Sequence, residues 1–209
     1  MSTVVGFVSQ KGGVGKSTLA RALAREAAAG GLAVKIADLD HEQGTSTNWA
    51  RRRMAAGLEP VVPVEPFRTA ADAFKAAEHV DLMIVDGPAR ASAGTLEIAK
   101  GSALVVQPSS TSVDDLEPAV LVFHSLVRAG IPRAKLAVAL VRVGTEAEEG
   151  FARSYMAEAG YDVLPGALLE RPAYRQAQND GQAVTEVRFK GLSERADALV
   201  QAIIDRAGL

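Results

Sequence analysis

The sequence predicts an α/β fold: a single domain in which a twisted, mostly parallel sheet carries helices on both faces. Three observations predict it. Strand and helix signals alternate along all 209 residues, with short turns between them. Residues 82–85 and 136–141 are apolar at every position, as strands buried on both faces must be. A glycine-rich turn also joins a β-rich opening segment to a helical pattern, and sheets of this kind bind ligands at the carboxyl ends of their strands. No repeat, low-complexity tract or linker divides the chain, so residues 1–209 read as one domain of ordinary size for the class.

The elements follow in order. Residues 3–9, with Val4, Val5, Phe7 and Val8, form the first strand. The helix over 16–29 puts Leu19, Ala22, Leu23 and Ala27 on one face, and Gly30-Gly31 ends it. Further strands are expected near 33–38, 60–64, 81–86, 102–107, 135–142 and 162–169. Further helices are expected near 44–56, 69–79, 92–99, 113–129, 146–159, 172–179 and 190–207. Leu121, Phe123 and Leu126 mark the helix that Gly130 terminates. The last helix has one apolar face in Leu192, Ala196, Leu199, Val200, Ile203, Ile204 and Ala207.

Composition narrows the function classes. Hydrophobic residues make up 48% and aromatic residues only 5%, so the core must be built from Ala, Val, Leu and Ile. With no cysteine there can be no disulfide, thiolate metal site or iron–sulfur cluster. The chain enters its first strand without a basic-then-apolar leader, and no apolar run approaches the ~20 residues that span a bilayer. A soluble, cytoplasmic protein is expected. A net charge of −2 argues against a strongly basic, constitutive nucleic-acid binder, although a neutral total can still contain a local patch.

Residues 9–18 read Ser-Gln-Lys-Gly-Gly-Val-Gly-Lys-Ser-Thr. Between a strand and a helix, such a loop cradles phosphate. Glycines let backbone N–H groups approach the oxygens, the helix end adds positive potential, and Lys16 reaches the β/γ-phosphates. Ser17 supplies a hydroxyl to Mg²⁺. The pattern G-x-x-x-x-G-K-[ST] fails at its first glycine, which is Gln10; Lys11 opens the loop instead. A second lysine is unnecessary for holding one nucleotide, but makes sense if it points at a phosphate outside its own pocket.

With these residues the chain resembles the deviant P-loop ATPases of the ParA/MinD family, most closely the small ParA-type proteins without an N-terminal DNA-binding extension. Ile36-Ala37-Asp38-Leu39-Asp40 resembles the family's second strand, and Leu82-Met83-Ile84-Val85-Asp86-Gly87-Pro88 its Walker B strand and following switch. Val105-Val106-Gln107-Pro108 and Glu170-Arg171-Pro172-Ala173-Tyr174-Arg175 resemble later landmarks, so the likeness covers nearly the whole chain.

The resemblance implies a P-loop NTPase fold and slow, partner-stimulated ATP hydrolysis. It implies nucleotide binding by Lys11, Gly12, Gly13, Val14, Gly15, Lys16, Ser17 and Thr18, with Lys11 reaching across an ATP-sandwich homodimer. Catalysis falls to Lys11, Lys16 and Asp40, the last orienting the attacking water. Mg²⁺ is held directly by Ser17 and through water by Asp86. Asp38 is expected to be structural, since alternate residues on a strand face opposite sides. Gly87 is expected to place its N–H near the γ-phosphate.

Many relatives have D-P-Q after the catalytic Asp; here Asp40-His41-Glu42-Gln43-Gly44 is one residue longer. His41 reads as a loop residue, and Trp49 as packing or a dimer contact. Arg51-Arg52-Arg53 point in three directions on a helix and read as a solvated end with salt bridges, the alternative being a partner contact. Arg171, Arg175, Arg188 and Lys190 are the candidates for backbone contacts to nonspecific DNA, and Arg171 could equally line the nucleotide pocket. The last helix balances Glu194, Asp197 and Asp205 against Arg195 and Arg206, which does not favour an anionic membrane.

The implied function is a dimerising ATPase that binds nonspecific DNA and partitions or positions a cargo (a plasmid, a chromosome region or a protein assembly), nucleoid-associated in its ATP state and regulated by a cargo-bound activator of ParB or analogous type. The alternatives are a dethiobiotin-synthetase-like metabolic enzyme and a MinD-like membrane regulator.

Overall fold

The structure is a computed structural model that describes residues 2–40, 43–88 and 93–209. Seven strands form one sheet: β1 (Thr3–Phe7), β2 (Val34–Asp38), β3 (Val64–Pro66), β4 (Leu82–Asp86), β5 (Leu104–Ser109), β6 (Leu136–Leu140) and β7 (Asp162–Val163). Their order is β3-β2-β4-β1-β5-β6-β7, and every pairing is parallel. The helices among the described residues are α1 (Lys16–Ala29), α2 (Thr45–Ala55), α3 (Ala70–Ala76), α4 (Ala93–Gly101), α5 (Val113–Arg128), α6 (Glu146–Glu158), α7 (Pro172–Asn179) and α8 (Lys190–Ala207). The expected α/β class and the helix positions hold.

Strand alternation divides the core in two. Val5, Phe7, Ile84 and Val106 face one layer, where α1 and α8 pack. Val4, Val8, Met83, Val85 and Val105 face the other, against α3 to α6. The apolar face of α8 is used here: Ala196, Leu199, Val200 and Ile203 are buried.

Two strand expectations need correction. The strand expected at 60–64 begins only at Val64, opposite Ile36. Pro60 and Pro63 have no N–H to give a ladder, and Pro63 contributes only its carbonyl, to the Ile36 N–H. The strand expected at 162–169 stops after Val163; Leu169 returns to the sheet edge in a single bridge with Val143. Between them, Pro165 lacks an N–H and Gly166 takes φ 79°, with no room for a side chain against the Leu199 backbone.

Register positions the site. Phe7 and Asp38 both lie opposite Asp86, so β1, β4 and β2 end in one row. Neighbouring strands are ~4.8 Å apart. The glycine-rich loop, Asp86 and the Asp38–Asp40 segment therefore leave the sheet side by side.

Candidate nucleotide site

The loop between β1 and α1 reverses through two glycines in the left-handed region, Gly13 at φ 73° and Gly15 at φ 103°. Gly15 is also the cap of α1 and offers no side chain to its first N–H groups, which stay free for an anion. Val14 anchors the loop in the core, while Lys11, Gly12 and Gly13 are exposed. A cavity of about 730 Å³ opens over this turn. Gly13, Gly15, Lys16, Ser17, Thr18 and Asp40 line it, together with Arg142, Arg171, Tyr174 and Arg175.

Lys16 is 6% exposed and donates to the Ser9 hydroxyl at 3.1 Å. Burial lowers its pKa, and the charges of Asp86 and Asp40 push it back up. A cation is thus stored where negative charge would arrive. Lys11 lies outside the cavity, its side chain 45% exposed, and Nζ meets Asp115 Oδ1 at 2.8 Å and the Asp114 carbonyl. Pro118 has no N–H to return to that carbonyl four residues back, which leaves it open to the lysine.

Asp86 is buried at the end of β4, and burial raises its pKa against the pull of the Ser46 and Ser17 hydroxyls. Ser46 Oγ donates to Oδ2 at 2.7 Å, while Oδ1 is buried without a hydrogen-bond partner among the described residues. Ser17 Oγ lies 2.9 Å from Thr45 Oγ1. A hydroxyl beside an orphaned carboxylate oxygen fits a hydrated divalent cation: Ser17 as ligand, Asp86 as acceptor from its water.

Asp38 is 1% exposed and structural. Its Oδ1 accepts the Asp40 N–H at 3.1 Å, and Oδ2 accepts from the Thr47 N–H and hydroxyl at 3.0 and 2.9 Å. Asp40 lines the cavity while its Oδ1 accepts the Gln43 N–H at 3.2 Å, closing the turn before α2. His41 and Glu42, in the loop that is one residue longer, lie outside the described residues, as do residues 89–92 after the Walker B strand. The Gly87 N–H does not face the cradle. It donates to Phe7 O at 3.0 Å, because the β4–β1 register runs one step past Asp86, and a side chain there would strike the same carbonyl.

The four basic residues named for DNA do not form one group. Arg171 and Arg175 face the nucleotide cavity, with Arg175 paired to Glu170. Arg188 and Lys190 are exposed around the start of α8, Arg188 over the Phe189 ring and Lys190 3.7 Å from Glu194. The arginine run also divides. Arg51 and Arg52 are exposed as expected, but Arg53 is 2% exposed and forks onto Glu186 at 2.6 and 3.0 Å. Trp49 is fully buried beside it and donates to Gln182 O at 3.0 Å, so it is packing.

Sequence reasoning missed Arg142, Arg21 and Gln178. Arg142, at φ 56°, lines the cavity and donates to the Gly13 carbonyl of the loop. Arg21 lies one turn after Ser17, on the face of α1 opposite Leu19, Ala22 and Leu23, where an arginine reads as solvated, so the sequence carries no signal that it is buried.

The parallel sheet, phosphate loop and acidic strand ends define a P-loop nucleotide-binding domain. A profile of the CobQ/CobB/MinD/ParA nucleotide binding domain matches residues 5–184, and the chain belongs to that family. Among solved structures it is similar to the septum site-determining protein MinD complexed with Mg-ADP from Pyrococcus horikoshii OT3, with 17% identity, TM-score 0.79 and coverage of 100% of this chain and 98% of that one. It is also similar to a putative plasmid partition protein from Borrelia burgdorferi B31 bound to AMPPNP, with 15% identity, TM-score 0.75 and coverage of 99% and 100%. Cyanthece apo McdA matches with 18% identity, TM-score 0.74 and coverage of 97% and 100%. A comparison with curated proteins gives no match.

Proposed function

We propose that this protein is an ATPase that binds Mg-ATP in the cavity above α1, dimerises around two nucleotides, and in that state binds DNA without sequence preference to position a cargo. One observation carries the reading: Lys16, Asp40 and Asp86 converge from neighbouring strand ends on one cradle. Lys16 and the α1 N–H groups neutralise the phosphates, and Asp40 orients water for in-line attack. A bound Mg²⁺ would add charge neutralisation on the transferred phosphoryl group. Ser17 and Asp86 are the residues to hold it. Lys11, placed outside its own cavity and exposed, supports a role across a dimer interface.

The DNA role rests on Arg188 and Lys190, and on doubling of the basic groups that face one duplex when the dimer forms. A cargo-bound activator of ParB type would stimulate hydrolysis, and hydrolysis would dissolve the dimer and release the DNA. Between rounds the protein would sit in the cytoplasm, and with ATP on the nucleoid.

The test is binding to unrelated duplexes at low salt with ATP and with ADP, by gel shift or interferometry. ATP should give weak binding that is indifferent to sequence and falls as salt rises. Arg188→Glu with Lys190→Glu should weaken it on every duplex. No binding in the ATP state would defeat the DNA role, and binding untouched by the reversals would move it to another face.

A further inference from the structure

In the wall of the nucleotide cavity lies a buried cation to which the phosphate chemistry above gives no role. Arg21 is 6% exposed, on the turn of α1 after Ser17. Its Nε donates to Ser46 Oγ at 3.3 Å, and Ser46 Oγ donates to Asp86 Oδ2 at 2.7 Å. Its Nη1 donates to Gln178 Oε1 at 3.0 Å, an oxygen that also accepts the Thr18 hydroxyl at 3.1 Å. The Trp49 ring lies 5.9 Å from the guanidinium carbon. Helices α2 and α7 therefore hold the guanidinium from both sides.

We infer that Arg21 is a positioning residue for the Mg²⁺ side of the site, acting through Ser46 to fix the Asp86 carboxylate with Oδ1 as its one free acceptor. The inference rests on the nucleotide reading above. Its logic is the direction of the hydrogen bonds. A guanidinium can only donate, and a serine hydroxyl has one proton. With Arg21 donating to Ser46 Oγ, that proton is directed onto Asp86 Oδ2. Ser46 cannot turn round, and the carboxylate cannot rotate without losing the bond. Oδ1, buried and unpartnered among the described residues, is left for water on the metal. Burial lowers the Arg21 pKa to about 10, with Asp86 resisting the fall, so the group remains a cation at neutral pH. Outer contacts of this kind orient the groups that meet a metal, and losing one typically lowers metal affinity about 10–100-fold.

The test measures binding of a fluorescent ADP analogue to the full chain across a Mg²⁺ titration, and separately in EDTA. Ser46→Ala and Arg21→Met should each raise the Mg²⁺ concentration at half-effect by about 10-fold. For Ser46→Ala, whose side chain does not line the cavity, affinity in EDTA should stay within about 2-fold of wild type, since the phosphate loop is intact. The double variant should be no worse than the worse single one, because both act on one carboxylate. Should Arg21→Met fail to fold, Ser46→Ala alone decides, its melting point checked beside wild type. An unchanged Mg²⁺ requirement in a variant that melts normally would overturn the inference. Equal losses with Mg²⁺ and in EDTA would overturn it too, as the mark of a merely structural role. If wild type itself binds the analogue in neither condition, the nucleotide reading fails and takes this inference with it.

Discussion

Lys11 and Asp40 each rest on a partner that the proposed reaction would have to displace. Lys11 is held by Asp115 and by the carbonyl that Pro118 leaves free; Asp40 caps the turn at Gln43. The Lys11 pair is partly exposed, so it is worth only about 0.5–1 kcal/mol. It biases the lysine rather than locking it. Asp115→Asn frees both lysines of the dimer and should therefore raise the association constant of the ATP-analogue dimer roughly 5–30-fold, measured by analytical ultracentrifugation; a weaker dimer would mean that Asp115 supports the interface instead. Asp40→Ala should bind Mg-ATP within a few-fold of wild type while phosphate release falls at least about 100-fold, as expected when a group that positions or activates water is lost. Turnover close to wild type would assign that task to another residue. Lys16 and Ser17 stand out in the sequence because a glycine-rich loop ties their placement to local spacing, whereas Asp40 stands out only through the resemblance of its strand to the family's. Arg21 and Gln178 lie 157 positions apart, and only the packing of α7 on α1 brings them together.

At the scale of elements, α2 shows how a charged run becomes a structural anchor. Arg53 is drawn inward to Glu186, to the carbonyls of Glu59, Pro60 and Gly181, and to the face of Trp49. This fastens α2, and with it Thr45 and Ser46, to the segment before α8. Burial would raise the Glu186 pKa, but hydrogen bonds from Arg53 and the Ala183 N–H, with the Arg53 and Arg25 charges, hold it below the ordinary 4.5. A depressed carboxylate stabilises the fold above its unfolded pKa, and that stability is lost as pH falls through the folded value. Glu186→Gln should lower stability by roughly 3 kcal/mol at pH 7, with a gap to wild type that narrows below about pH 4 in urea titrations. A gap constant with pH would mean that the ion pair contributes nothing. The sequence could not show this anchor, because three adjacent arginines carry no mark of which one turns inward. The helices were legible from period and glycine stops. Strands β3 and β7 were placed too early or too long, because apolar runs continue through Pro60, Pro63, Pro165 and Gly166, where the ladder cannot.

For the whole molecule, the net charge is −2, and the core takes up Ala196, Leu199, Val200 and Ile203 from the apolar face of α8. No helix among the described residues is long and apolar enough to cross a membrane. In the proposed function, affinity for DNA comes from assembly, which makes the ATP dimer the central claim. The most direct measurement is mass by light scattering with a nonhydrolysable ATP analogue, for wild type and Lys11→Ala, with nucleotide binding followed in parallel by calorimetry. The account predicts a dimer for wild type. For Lys11→Ala it predicts a monomer that still binds the analogue within a few-fold, because the missing charge belongs to the neighbouring molecule's phosphate. A wild type that stays monomeric with bound analogue, or a Lys11→Ala variant that dimerises unchanged, would contradict it.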